Sequence, residues 1–244
     1  MGDVHRLFKV LKKSSEIRHN ARENSPEFDY QWKNLPSPTI EYDDRRIEEF
    51  LNLTKLPRSF FLGKSCLDAG CGNGRWTWVM KKLGGKVTSF DVSPVAVETC
   101  RHVNENVYLS DIYALTENRV FDFVLSWGVL HHLPDPELGF RKVASQVKKG
   151  GTLHIMVYHK DTQEQYQEGR TRWSNLTPSK RLTYCKKMIR KYGGDLFGWW
   201  DALNPTYNYS YLPSEIEQWF RTNGFSDITL TQEFNVNMRG IYEG

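Results

Sequence analysis

The stretch Leu67-Asp68-Ala69-Gly70-Cys71-Gly72-Asn73-Gly74 decides the fold. It closes a short apolar run that reads as a strand, Ser65–Asp68, and opens a helical run, Arg75–Leu83. Glycines at alternate positions let the backbone turn tightly and let a ligand approach with no Cβ in the way. A phosphate-cradling dinucleotide loop spaces its glycines as G-x-G-x-x-G. Here the third glycine follows after one residue and an acid precedes the loop. A carboxylate at that place repels a phosphate and suits a cationic amino-acid group, so a nicotinamide oxidoreductase is the most distant of the readings weighed.

Outward from this loop, apolar runs alternate with amphipathic segments of helix length, the pattern of parallel strands joined by crossover helices. Further strands are expected at Lys86–Asp91, Asn106–Leu109, Phe121–Ser126 and Thr152–Tyr158. Phe121–Ser126 and Thr152–Tyr158 are nearly continuous in apolar residues, as central strands covered on both faces should be. Ser93-Pro94 and Asp135-Pro136 each supply an N-cap and a first-turn proline, and the segment after Asp135 reads as a helix running to Gly150-Gly151. Pro213 opens a last helix with Ile216, Trp219 and Phe220 on one face and Gly224 at its end. Two final strands, about Asp227–Gln232 and Asn235–Tyr242, complete the sheet with an antiparallel pairing.

The run Asp68 to Gly74 resembles the first motif, D/E-x-G-x-G-x-G, of the class I S-adenosylmethionine-dependent methyltransferases. The resemblance implies an α/β, Rossmann-like sheet of seven strands, mostly parallel, with an antiparallel C-terminal strand, and S-adenosylmethionine as cofactor. It places Asp68, Ala69, Gly70, Cys71 and Gly72 at the methionine part of that cofactor. Asp91, ending the second strand beside Val92, has the position of a carboxylate that accepts both ribose hydroxyls. By the same resemblance Asp111 meets the adenine amino group and the Ile112 backbone N–H meets the ring.

The fourth strand and its sequel, Phe121-Asp122-Phe123-Val124-Leu125-Ser126-Trp127-Gly128-Val129-Leu130-His131-His132-Leu133-Pro134-Asp135, resemble the fourth motif of one subgroup of that family. It includes ubiquinone- and menaquinone-biosynthesis methyltransferases and many sugar and natural-product methyltransferases. Ser126 and Trp127 are expected on the cofactor side, although a core tryptophan reads the same way. An acceptor hydroxyl or ammonium must lose a proton, and an imidazole suits that task. The resemblance puts His132 nearest the acceptor and His131 second; against this, adjacent histidines opening a helix are often structural.

The chain has 244 residues, 39% hydrophobic, which fits one domain with additions. No apolar run approaches the roughly 20 residues of a bilayer span, and Met1-Gly2-Asp3-Val4-His5 begins no apolar leader, so a cytoplasmic protein is expected. Cys66, Cys71, Cys100 and Cys185 lack paired metal spacing and read as free thiols, and no metal is expected. Formal charge is +4, with Arg6, Lys9, Lys12, Lys13 and Arg18 near the start. That cluster is an argument for an anionic partner or a solvated helix face.

Two regions fall outside the core pattern: a helical extension or lid over residues 1–61, and residues 160–212, inserted into the methyltransferase domain of 62–244. Tyr30 and Trp32, within Phe28-Asp29-Tyr30-Gln31-Trp32, are candidates to cover an acceptor from the first. Tyr158, Arg170, Tyr207 and Tyr211 are candidates from the second, where Trp and Tyr density fits a polar acceptor or a homodimer contact. The place after the fourth strand reads Ser126-Trp127-Gly128-Val129 in place of the Asn/Asp-Pro-Pro-aromatic run of nucleic-acid amino methyltransferases. The leading expectation is therefore methyl transfer to oxygen, less often nitrogen, of a small metabolite, a sugar or sugar-linked precursor among the candidates. Methylation of RNA or protein, and a non-catalytic cofactor-binding partner subunit, stand as alternatives.

Overall fold

The structure, a computed structural model, describes residues 25–35 and 42–244; the basic cluster from Arg6 to Arg18 lies outside them. Seven strands form one sheet: β1 (Ser65–Ala69), β2 (Lys86–Asp91), β3 (Val107–Leu109), β4 (Phe121–Trp127), β5 (Val147–Val157), β6 (Phe225–Gln232) and β7 (Val236–Tyr242). Their order is β3-β2-β1-β4-β5-β7-β6. The first five run parallel; β7 is antiparallel to both β5 and β6, so it alone is reversed in direction. The expected Rossmann-like sheet is present. Its order reverses between β1 and β4, the point at which open α/β sheets leave a crevice at their carboxyl ends.

Helices α1 (Ser25–Asn34) and α2 (Asp44–Thr54) precede the sheet, and α3 (Arg75–Lys82), α4 (Pro94–Arg101) and α5 (Pro136–Ala144) are its crossovers. Ser93 caps α4 by accepting from the Ala96 N–H, and Asp135 caps α5 by accepting from Leu138, each with proline in the first turn. Helix α5 does not run to Gly150-Gly151 as expected. It stops at Ala144, and β5 begins at Val147. The pairing of β4 with β5 shifts between Phe121 and Phe123, where Gly150 takes φ +74°. The Gly-Gly pair thus serves an irregularity inside a strand, which local sequence cannot distinguish from a helix stop. Other strand bounds move by one or two residues.

One face of the sheet packs Leu67, Val124, Leu153 and Ile155 against Phe140, Ile216, Phe220 and Phe225. The other packs Cys66, Phe123 and Leu125 against Phe50, Phe61, Val79 and Met80. Ile216 and Phe220 come from α9 (Pro213–Thr222), with Trp219 half-buried beside them. Between β5 and α9 the chain forms α6 (Lys160–Trp173), α7 (Pro178–Tyr192) and α8 (Leu196–Leu203). These helices enclose their own cluster of Trp173, Cys185, Trp199, Trp200 and Leu203, which Tyr30 of α1 and Leu35 just after it join. Helix α1 therefore joins the insertion's core while also bonding to the start of α4, the Ser93 hydroxyl donating to Asp29. All four cysteines are free and buried. Among the described residues no helix is long and apolar enough to cross a membrane.

Candidate active site

The carboxyl end of β1 turns into the glycine loop, where the N–H groups of Gly70 and Cys71 both donate to the Phe90 carbonyl, at 2.9 and 3.0 Å. Gly70 takes φ +82°, and a Cβ there would lie 2.4 Å from Val129; at Gly72, φ +52°, a Cβ would lie 2.7 Å from the Trp32 ring. A side chain at either place would drive Val129 or α1 away from the loop. Asp68 lies buried beneath, with the Thr77 hydroxyl donating to Oδ2 at 2.6 Å. Burial, reinforced by Asp91 nearby, pushes its pKa up to about 7.

Asp91 ends β2. Its Oδ2 accepts the Gly72 N–H and its Oδ1 the Ser93 N–H, each at 2.9 Å, which ties the loop to the start of α4. Each oxygen keeps a further lone pair. Burial raises this carboxyl's pKa against hydrogen bonds from the Ser93, Gly72 and Val92 N–H groups. Asp111 follows β3 and accepts the Tyr113 N–H at 2.9 Å, capping a short turn over Ile112–Ala114.

These residues line one cavity. Its wall includes Asp68, Gly70, Cys71, Gly72, Asp91, Val92, Asp111, Ile112, Trp127 and His132, with Phe28 and Trp32 from α1 and Phe197 and Asp201 from α8. Ala69 and Ser126 are buried just behind it, the Ser126 hydroxyl donating to the Ala69 carbonyl at 3.3 Å. Among the described residues this wall carries four carboxyl groups and one guanidinium, that of Arg75. Such a set suits a ligand that is cationic and rich in hydrogen-bond donors, as an aminoacyl sulfonium nucleoside is, and repels a pyrophosphate.

His132 stands at one end. Its Nδ1 lies 3.0 Å from the Tyr207 carbonyl, which can only accept, so the ring proton sits on Nδ1. Nε2 then presents its lone pair; among the described residues it is buried without a hydrogen-bond partner, 3.9 Å from Oδ2 of Asp201. Burial holds the imidazole pKa below its ordinary value, against the pull of Asp201. Asp201 is itself held, the Gln31 amide donating to Oδ1 at 3.0 Å and the Tyr158 hydroxyl to Oδ2 at 2.7 Å. His131 is wholly buried between His132 and Tyr158, with ring centroids 4.1 and 3.9 Å away, and burial keeps it neutral. It does not line the cavity.

The remaining candidates lie elsewhere. Tyr30 stacks on Trp200 at 4.9 Å in the insertion's core. Arg170 donates to the Ala202 carbonyl and to Gln163, at 2.8 and 2.6 Å. Tyr207 contributes its carbonyl, not its ring, which stacks with Tyr209, and the Tyr211 ring packs on Trp219. Asp201, beside His132 in the cavity wall, was not among the candidate residues, although the Trp199-Trp200-Asp201 run that carries it stands out in the insertion. Phe28, Arg75, Phe197 and Met156 also line the cavity and were not among the candidates.

A family model described as a methyltransferase domain matches residues 40–230. A ubiquinone biosynthesis O-methyltransferase of Xanthomonas campestris is 35% identical over 101 residues, 38% of this chain and 42% of that protein. One of Coxiella burnetii is 30% identical over 106 residues, 41% of this chain and 45% of that protein. The matches thus span less than half the length of these curated relatives. A Haloferax volcanii chain solved in complex with the Trm112 methyltransferase activator superposes with TM-score 0.59 at 15% identity, covering 89% of this chain and 98% of that one. Magnesium protoporphyrin IX methyltransferase of Synechocystis with bound S-adenosylmethionine gives 0.52 at 14% identity, covering 96% and 90%. The family match over most of the chain, on a sheet of this topology and a glycine loop of this spacing, shows that the chain belongs to the class I S-adenosylmethionine-dependent methyltransferases, with S-adenosylmethionine as its cofactor.

Proposed function

We propose that this chain methylates an oxygen of a small polar metabolite, with His132 as the base that takes the acceptor's proton. The observation that carries the reading is the buried, unpartnered Nε2 of His132 in the cavity wall, its tautomer fixed by the Tyr207 carbonyl. Asp91 would hold the ribose hydroxyls with its spare lone pairs, Asp111 and the Ile112 N–H the adenine edge, and Asp68 with the glycine loop the amino-acid end. S-adenosylmethionine supplies an electrophilic methyl group: the acceptor's lone pair forms the new bond as the carbon–sulfur pair leaves with sulfur. The protein's part is to align the acceptor, exclude water with Phe28, Trp32 and Phe197, and take the proton.

The ubiquinone-pathway relatives support oxygen as the acceptor atom. Among the described residues Arg75 is the one guanidinium in the cavity wall, and Arg170, near His132, is taken up by the Ala202 carbonyl and Gln163, which supports a small neutral molecule over a nucleic-acid backbone. The test is calorimetric titration with S-adenosylmethionine and its demethylated product, followed by an acceptor screen with methyl-labelled cofactor. With an acceptor in hand, His132→Ala should leave cofactor affinity within about twofold and slow transfer by about 10²–10⁴. Equal turnover would remove His132 as the base.

A further inference from the structure

Asp201 belongs to α8, outside the sheet and its crossover helices, yet it reaches the cavity wall opposite His132. Its carboxylate is fixed by two donors from distant parts of the chain, the Gln31 amide on Oδ1 and the Tyr158 hydroxyl on Oδ2. Gln31 is wholly buried, so α1 and the end of β5 each place a polar side chain to orient this one acid on α8. An aspartate with 28% of its side chain exposed needs no such support to be tolerated. Each oxygen still has a lone pair free for a ligand.

His132 Nε2 and Asp201 Oδ2 are two acceptors 3.9 Å apart in one cavity. Facing acceptors are satisfied by a ligand that brings two donor hydrogens. Adjacent hydroxyls do this, and so does an amine beside a hydroxyl. A carboxylate or phosphate in the same place would meet an anion and a lone pair with nothing to donate.

The same acid acts on the proton's destination. Methyl transfer converts a sulfonium to a thioether, and the positive charge reappears on the imidazole that receives the acceptor's proton. Among the described residues the charged, titratable and polar groups that face this ring are Asp201 from α8, Tyr158 from the end of β5, His131 beside it, Arg170 from α6 and the Tyr207 carbonyl. Of these only Asp201 carries negative charge, and Arg170 opposes it.

We propose that Asp201 is the second half of the acceptor site: it receives a hydrogen bond from a donor adjacent to the reacting atom and stabilises the imidazolium formed on His132. The acceptor is then neutral or cationic at that end and carries two neighbouring donors, and acidic acceptors are rejected. This rests on His132 being the base.

The deciding experiment is an NMR titration of histidine-labelled protein saturated with S-adenosylhomocysteine, in wild type, Asp201→Asn and Asp201→Glu. Asp201→Asn should lower the proton affinity of His132 about tenfold, one pKa unit, and Asp201→Glu should restore most of it. An unchanged His132 titration in Asp201→Asn overturns the proposal. Failure of wild type to bind S-adenosylhomocysteine would count instead against the proposed function. In a second arm, catechol and 2-aminophenol represent the two donor sources and salicylate the acidic counterpart. Transfer at least tenfold faster to either of the first two, lost in Asp201→Asn, is expected; equal or faster methylation of salicylate overturns the selectivity.

Discussion

At Asp68 a carboxyl group is enclosed at the end of β1, where burial pushes its pKa up to about 7. In the unfolded chain the same group titrates near 4. The folded value is the higher one, so its stabilising contribution is complete below about pH 4 and is lost as pH rises through 7. Asp68→Asn should therefore raise the melting temperature of the ligand-free protein at pH 8, by about 2–4 °C, and by less at pH 5, as scanning fluorimetry would show. With the amino-acid end of the cofactor placed at Asp68 as proposed, its ammonium group would act in the opposite sense, drawing the carboxyl's pKa down. Binding near pH 6.5 should release a proton, visible as a buffer-dependent calorimetric heat, and affinity should fall as pH drops below 7. Asp91 is tied to the Gly72 and Ser93 N–H groups as well as facing the cavity. Asp91→Ala should weaken cofactor binding about 100-fold, through loss of two charge-assisted hydrogen bonds; unchanged affinity would take Asp91 out of the site.

Helix α1 meets the glycine loop through Trp32, whose ring lies against Gly72 and tilts on Phe197 at 5.1 Å. Gly72→Ala should displace that ring, because the new Cβ needs its space at a φ that L-residues avoid. The expected result is cofactor affinity reduced about tenfold or more and faster proteolysis within residues 25–35, with the melting transition of the sheet little changed. The elements on the cofactor side were legible in the sequence because each announces itself locally. Apolar runs mark β1, β2 and β4, and Ser93 and Asp135 with their prolines mark helix starts. The acceptor end was not legible for a physical reason. Gln31 and Asp201 are 170 residues apart, and only tertiary packing brings them together. Tyr30, Tyr207 and Tyr211 have the composition of a binding wall, yet their rings pack on Trp200, Tyr209 and Trp219, because an aromatic ring fills a core as readily as it lines a cleft. Arg170 likewise satisfies the Ala202 carbonyl and Gln163 instead of an anionic substrate.

Over the whole molecule, the cavity joins parts that differ in how they are held. The sheet is secured by its own two cores, whereas α1 bridges its flanks, with Ser93 of the core bonded to Asp29 on one side and Asp201 of the insertion bonded to Gln31 on the other. A change deep in the sheet and a change in the cover should therefore separate. Phe140→Ala empties a fully buried site and should cost about 3–5 kcal/mol of stability with cofactor affinity nearly intact. Cofactor binding should act on the cover instead, because a ligand touching the glycine loop, Phe28, Trp32, Phe197 and Asp201 links segments that otherwise meet through a few side chains. Local opening of such segments has a lower free energy than global unfolding and is raised by any ligand that requires them closed. Hydrogen exchange with saturating S-adenosylhomocysteine should slow markedly in residues 25–35 and 196–203, while β4 and β5 exchange only through global unfolding. Equal slowing across the sheet and the cover would show that α1 and α8 close with the core as one cooperative unit, and that the cavity is built whole before the cofactor arrives.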